Sequence, residues 1–201
     1  MIRKIITVTV IFILVLLCAS HKECLKNHKN NYNNTRFRLE KLIIKESRIE
    51  HIDNLRLLPD IVFYTMVLEM YKHKIPTTIY FRTIDCESGF QFIKNKQGSS
   101  AFGYWQIMPS TFNYICDILE IKPIHNQINN IIIGSYLLKS GYIFWKSKGM
   151  SDRKAWEWSL AEYNQGRGGL QIIDSLGKIH YSIPPETMEL VHKEMKYYKY
   201  K

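Results

Sequence analysis

Apolar residues recur at helical spacing over most of the chain. From Arg36 onward many lie three or four positions apart, as Leu42 and Ile43 do from Leu39. This period is typical of amphipathic helices, and only short windows alternate as strands do. The pattern therefore predicts a mainly α domain. It places a loop around residues 55–59 and helices over 60–73, from Pro76 to Gly89, and over 109–120, 127–145, 152–162 and 185–197.

The helix that starts near Pro76 carries a glutamate at the end of its apolar face. Ile84 and Glu87 are spaced so that both fall near one side, and Gly89 ends the helix. Asp85 projects from another face, where we expect it to be exposed. A carboxyl group on an apolar face loses solvation of its charged form, so its pKa should rise. Glu87 is therefore a candidate proton donor near neutral pH.

The first 35 residues have a different composition. Residues 1–20 combine a basic start, "MIRK", with an apolar run that ends in small residues. This segment predicts a secretory signal peptide. The alternative is a retained membrane anchor, although the run is short for a full span. Residues 21–35 are polar, rich in Asn and Lys and without an apolar period, and we interpret them as a tether.

Composition narrows the class of partner. The 201 residues allow one domain with a proper core, and the net charge of +10 favours a polyanionic partner. Nucleic acid, anionic lipid and an acidic cell-wall polymer are the candidates, and export argues against nucleic acid. No CxxC or His/Cys cluster suggests a metal site, and we expect no cofactor. After cleavage at Ser20 three cysteines remain, so one disulfide such as Cys86–Cys116 and fully free thiols, Cys24 included, both stay open.

Four sequence blocks carry a resemblance to a known family. They are "ESGF" (87–90) followed by "SSAFGYWQIMPSTF" (99–112), "NIIIGSYLL" (130–138), "AEYNQGRGG" (161–169) and "PPETMELVHK" (184–193). In this order they resemble the soluble-type lytic transglycosylases of glycoside hydrolase family 23, over about residues 59–195. The resemblance implies a single lysozyme-like (SLT) helical domain with a substrate groove. The catalytic domain would occupy 59–201, behind a helical extension at 36–58.

The resemblance also implies roles for individual residues. Glu87 matches the sole catalytic acid/base, and Tyr163 matches a tyrosine whose hydroxyl points at the catalytic carboxyl. The family's serine position is held here by Gln97, so Ser99 or Ser100 would supply the hydrogen bond to the carboxylate. The remaining matches are the groove residues Gln106, Met108 and Asn164, the packing residues Asn130 and Gly134 beneath the site, and the bracing residues Glu186 and Thr187.

The implied reaction needs only one carboxyl group from the protein. Most glycosidases use two, but the matched blocks offer no obvious second acid, and we expect Glu162 to lie on a solvated face. In the family the C6 hydroxyl of N-acetylmuramic acid attacks instead, which gives a 1,6-anhydro product. We therefore expect a monomeric, exported enzyme of the periplasm or cell envelope that acts on peptidoglycan glycan strands. Membrane association would come through the N-terminal segment. A goose-type lysozyme-like hydrolase and a non-catalytic wall-binding protein are the alternatives.

Overall fold

The computed structural model describes residues 22–94, 98–173, 178–196 and 198, with the backbone alone for 22–33 and 173. The chain divides into two units, Met1–Leu42 and Ile43–Lys201. The described part of the first unit is helical, and its Arg36 and Glu40 form an ion pair of 2.7 Å. The second unit contains every predicted site residue.

Helices make up nearly all the regular structure, so the mainly α prediction is confirmed. Two short antiparallel strands are paired with Ile172 opposite His180. The described elements are α1 (Lys22–Ser47), α2 (Ile52–Leu57), α3 (Asp60–His73), α4 (Thr77–Ser88), α5 (Pro109–Leu119), α6 (Gln127–Ser147), α7 (Asp152–Gly169), β1 (Gln171–Ile173), β2 (Ile179–Tyr181) and α8 (Pro185–Met195).

The N-terminal part differs from the prediction in two places. The segment 22–35 belongs to α1, although its polar sequence has no apolar period; its role as a tether remains a prediction. The loop expected around 55–59 is largely replaced by α2, because Leu55 is fully buried and draws that turn into the core. The predicted signal segment 1–20 lies outside the described residues. Among the residues searched, no helix is both long and apolar enough to cross a bilayer.

The long helix α6 forms the centre of the second unit. It packs against α3, α5 and α7, while α8 packs against both α4 and α7. A buried hydrogen bond of 2.9 Å joins Tyr80 on α4 to Ser135 on α6. Fully buried aromatic rings, among them Trp105 and Trp145, fill the space between the helices. Because α8 packs against both α4 and α7, it joins the helix that carries Glu87 to the helix that carries Tyr163.

Local sequence signals set the helix ends near the site. Gly89 ends α4 in the left-handed region (φ 58°), where glycine has no Cβ penalty. The side chain of Asn126 caps α6 by accepting a hydrogen bond of 2.8 Å from the Asn129 backbone N–H. Helix α7 runs beyond the predicted end at 162, with non-helical backbone at Gly166 (φ 70°). Tyr163 therefore lies on a helical turn directly before this break.

Candidate active site

Glu87 lies in the last turn of α4 and is half-buried. Burial raises the pKa of its carboxyl group to about 7, since the charged form loses water. Among the described residues no side chain or backbone group hydrogen bonds to this carboxyl. The group is therefore suited to holding a proton near neutral pH and releasing it to a bound substrate.

Asp85 is buried, contrary to the expectation that it would be exposed. Its two oxygens accept hydrogen bonds from the backbone N–H groups of Glu50 (2.7 Å) and His51 (3.1 Å), at the start of α2. The His51 ring contacts the same carboxyl at 2.8 Å, and the buried Arg82 guanidinium lies 3.4 Å from it. Asp85 thus fixes the segment before α2 to α4, a role that helical spacing within α4 could not show.

The loop between Phe102 and Gln106 connects the elements around Glu87. The Ser88 hydroxyl, next to Glu87, donates to the Tyr104 carbonyl at 2.8 Å. The Tyr163 hydroxyl on α7 donates to the carbonyl of the following residue, Trp105. The end of α4 and the middle of α7 are thus bound to consecutive residues of one loop, which brings Glu87 and Tyr163 together.

Tyr163 does not direct its hydrogen bond at the catalytic carboxyl as the resemblance implied. Its hydroxyl donates to the Trp105 carbonyl, and the two rings meet edge to face with centroids 5.7 Å apart. Burial raises the pKa of Tyr163 well above its usual value, and the nearby negative charge of Glu87 raises it further. The phenol therefore remains protonated and lies within electrostatic reach of Glu87.

Asn130 and Gly134 of α6 hold the same loop from below. The fully buried Asn130 side chain accepts from the Trp105 backbone N–H and donates to the Phe102 carbonyl, each at 3.1 Å. At Gly134 an added Cβ would lie 2.2 Å from the Trp105 ring. Both residues position the loop through buried contacts, and the role implied for them beneath the site stays a prediction.

A groove of about 560 Å³ opens beside this loop, a volume typical of small-ligand sites. Three predicted groove residues line it together with Tyr163, and Met108 is 44% exposed there. The Gln106 amide donates to the carbonyls of Gly103 (2.7 Å) and Ile93 (3.2 Å), which fixes its side chain. Asn164 donates to the Leu160 carbonyl at 3.2 Å. The residues that line the groove include Gln106, Met108, Tyr163, Asn164, Glu162 and Arg167.

Comparison with known families agrees with this geometry. Residues 68–173 match the family model described as "Transglycosylase SLT domain". The chain belongs to this family. The SLT match contains Glu87, the loop after it, the Asn130 helix and Tyr163, and confirms the resemblance found in the sequence. A comparison with curated proteins gave no match.

Ser99 and Ser100, the two serines predicted to hydrogen bond to the carboxylate, are not placed as the resemblance implied. Ser99 turns back on its own backbone, its hydroxyl accepting from the Ala101 N–H at 3.3 Å, and the Ser100 hydroxyl lies 3.9 Å from the Met108 sulfur. Neither hydrogen bonds to Glu87, because both are exposed and engaged within their own loop. They line a second depression, near His125, and their role in substrate binding remains a prediction.

One of the two predicted residues of the closing helix α8 contacts α7. Thr187 is buried, and its hydroxyl accepts a hydrogen bond of 2.8 Å from the Gln165 amide on α7. Glu186, one position earlier, is exposed in the first turn of α8, and no described residue contacts its carboxylate. Of the two residues predicted to brace the site, Thr187 is the one that hydrogen bonds to α7 among the described residues, and the bracing role itself stays a prediction.

Two acidic residues, Glu162 within the SLT match and Glu194 on α8 beyond it, have environments that the sequence did not reveal. Glu162 was expected on a solvated face, yet it lines the groove and is paired with Arg167 at 2.6 Å. The break at Gly166 accounts for this, since it turns the chain so that Arg167 reaches back to Glu162. Glu194 on α8 is completely buried. The sequence signal for the burial of Glu194 was its spacing from Thr187 and Val191, which places all three on one face of α8.

The remaining reactive groups are the cysteine thiols and the side chains that could bind a metal ion. Cys86 and Cys116 are free thiols, and burial raises the pKa of Cys86 to about 12. Within the described ranges no group of three or more His, Cys, Asp or Glu side chains is arranged to hold a metal ion.

Proposed function

We propose that this protein is a lytic transglycosylase that cleaves the β-1,4 bond between N-acetylmuramic acid and N-acetylglucosamine in peptidoglycan. Glu87 would be the single general acid/base, and the product would carry a 1,6-anhydro-muramoyl end. The observation that carries the proposal is the half-buried Glu87 carboxyl, with a pKa near 7, beside Tyr163 in a domain of the SLT family.

In the proposed reaction the proton of Glu87 passes to the glycosidic oxygen as the bond to the anomeric carbon breaks. The C6 hydroxyl of the same muramoyl residue then forms the new bond to that carbon, with help from the N-acetyl oxygen. Its proton returns to the Glu87 carboxylate, so the enzyme ends as it began. A hydroxyl held within the same sugar has a large effective concentration, and no water is consumed.

The surroundings of the other acids favour a mechanism with one carboxyl group. An inverting or retaining hydrolase needs a second carboxylate that faces the sugar. Glu162 lies in the groove, but its charge is neutralised by Arg167 at 2.6 Å. Glu194 is completely buried and cannot reach a substrate or its attacking water. A water-consuming hydrolase on this fold is therefore the weaker alternative.

A Glu87→Gln variant tests the proposal directly. The amide keeps the size of the side chain but has no proton to give, so clearing of purified peptidoglycan should fall at least 100-fold. Circular dichroism checks that the fold is intact. Glu189→Gln, an exposed residue of α8 away from the groove, is the matched control and should retain activity. Unchanged clearing by Glu87→Gln would exclude an enzymatic role for this residue, and no clearing by wild type would favour a wall-binding protein.

We also propose that the protein is exported and acts in the periplasm or cell envelope, either as a cleaved mature form or anchored by residues 1–20. The basic composition, with a net charge of +10, suits a wall with anionic peptides and polymers. Sequencing the N-terminus of the protein recovered from cell fractions tests this. A start near residue 21 would indicate cleavage, an intact Met1 in the membrane fraction would indicate an anchor, and recovery from the cytoplasm would contradict export.

A further inference from the structure

Glu194 is a buried acid that the proposed reaction does not use. It lies on the face of α8 that carries Val191 one turn earlier and Thr187 two turns earlier, and this face packs against α4 and α7. Its exposed fraction is 0%, and neither carboxyl oxygen has a hydrogen-bond partner among the described residues. An ionised carboxylate without partners in such a place is strongly unfavourable, so the group is held in its neutral form.

Arg82 is a buried cation that acts on Glu194 through its charge, while neither Glu194 oxygen accepts a hydrogen bond among the described residues. The Arg82 guanidinium donates to two backbone carbonyls, one of them that of Lys193 at 3.4 Å. The same group lies 3.4 Å from the Asp85 carboxylate and 3.5 Å from the Glu50 carboxylate. Arg82 thus reaches the α8 backbone beside Glu194 while two other acids share its charge.

Glu194 lies on the α8 side of the proposed catalytic centre, close enough for charges on it to act on Glu87 and Tyr163. Arg82 and Cys86 are one turn apart on the face of α4 that meets α8, and Glu87 follows Cys86. On the α7 side, the bond from Gln165 to Thr187 ties α8 to the turn that carries Tyr163. The charge of Glu87 raises the pKa of Glu194, as burial does, and a charge on Glu194 would raise that of Tyr163. The titratable and charged groups that act on Glu194 are Arg82, Cys86 and Glu87 from α4, Tyr163 from α7 and Lys193 from α8 itself.

We propose that Glu194 is a second carboxyl group of the active centre, kept uncharged behind Glu87, and that it acts as a positioning residue for the proton of Glu87. The two carboxyls form a coupled pair that holds two protons in the resting enzyme and one proton after Glu87 has given up its own. Glu194 never touches the sugar. Its retained proton ensures that the Glu87 carboxylate meets no second negative charge when it must act as a base.

Infrared spectroscopy of the full-length protein tests the coupling without any substrate, because a protonated carboxyl absorbs apart from a carboxylate. At pH 8, where Glu87 is ionised, wild type should retain a band from one buried protonated carboxyl. Glu194→Gln should remove this band. In Glu87→Gln the same band should disappear at a lower pH than in wild type, since the charge that holds the proton on Glu194 is gone. Glu189→Gln, on the exposed side of the same helix, should change nothing.

Absence of the band at pH 8, or a band in Glu87→Gln that titrates as in wild type, would overturn the proposal. The role of Glu194 in the reaction rests on the proposed function, and peptidoglycan clearing is the second measurement that tests it. Glu194→Gln, which is neutral and of equal size, should clear peptidoglycan within about tenfold of wild type. A loss as large as that of Glu87→Gln would instead make Glu194 a proton-transferring group and refute the positioning role. Failure of wild type to clear peptidoglycan at all would count against the proposed function while leaving the spectroscopic result to decide the coupling.

Discussion

Replacing Glu87 by Gln should make the protein more stable at alkaline pH, because the Glu87 carboxyl lies in an environment that disfavours its charge. The structure raises the pKa of Glu87 from 4.5 to about 7. The unfolded chain has the ordinary value, so between these two pH values the folded state binds more protons than the unfolded state. Stability from this group is fully present below pH 4.5, is lost as the pH rises to 7, and stays constant above.

The size of this loss follows from the same two values. Each tenfold change in proton affinity corresponds to about 1.4 kcal/mol, so the rise in pKa costs wild type about 3 kcal/mol above pH 7. Gln at position 87 does not titrate. The difference in free energy of unfolding between the variant and wild type should therefore increase by about 3 kcal/mol between pH 4 and pH 8. This is a large part of the 5–15 kcal/mol that stabilises a typical domain.

Urea unfolding of both proteins, followed by circular dichroism at intervals between pH 4 and pH 8, measures this difference. Using the difference removes the contribution of the titrating groups that do not interact with Glu87, since the two proteins share them. Parallel stability curves across this range would refute the argument, because they would mean that Glu87 has the same proton affinity in the folded and unfolded chain.

Three further substitutions test the support beneath the site. Gly134→Ala should lower the free energy of unfolding by about 1–3 kcal/mol, because the new Cβ would overlap the buried Trp105 ring, and thermal unfolding measures this. Asn130→Ala should lower the free energy of unfolding by about 2 kcal/mol, because it leaves the Trp105 N–H and the Phe102 carbonyl without partners. Urea unfolding measures this, and a change below about 0.5 kcal/mol would contradict it. Tyr163→Phe removes the bond to the Trp105 carbonyl and should lower peptidoglycan clearing about 10- to 100-fold with an unchanged circular dichroism spectrum. Full activity of the phenylalanine variant would show that the hydroxyl is dispensable.

Local patterns predicted the helices and the position of Glu87 well. The period of α4 placed Glu87 at the end of an apolar face, and the structure finds it half-buried there with a raised pKa. Gly89 ends α4 as expected, because its left-handed backbone is determined by the residue itself. These features depend on spacing within one helix, which a sequence shows directly.

Contacts between distant segments were the part that the sequence could not predict. Asp85 is buried because the residues before α2, 34 to 35 positions earlier in the chain, donate their N–H groups to it. Glu162 lines the groove because the break at Gly166 returns Arg167 toward it. Glu194 is buried because α8 packs across α4 and α7. In each case the partner belongs to another element or follows a break, so the helical period alone was insufficient.

Digestion of peptidoglycan in water enriched in oxygen-18, with mass spectrometry of the released muropeptides, tests the central claim most directly. Attack by the sugar's own hydroxyl should give 1,6-anhydro ends without the heavy isotope, and Glu87→Gln should release none of these products. Reducing ends that carry oxygen-18 would contradict the account, since they would show that water, and not the C6 hydroxyl, completes the reaction.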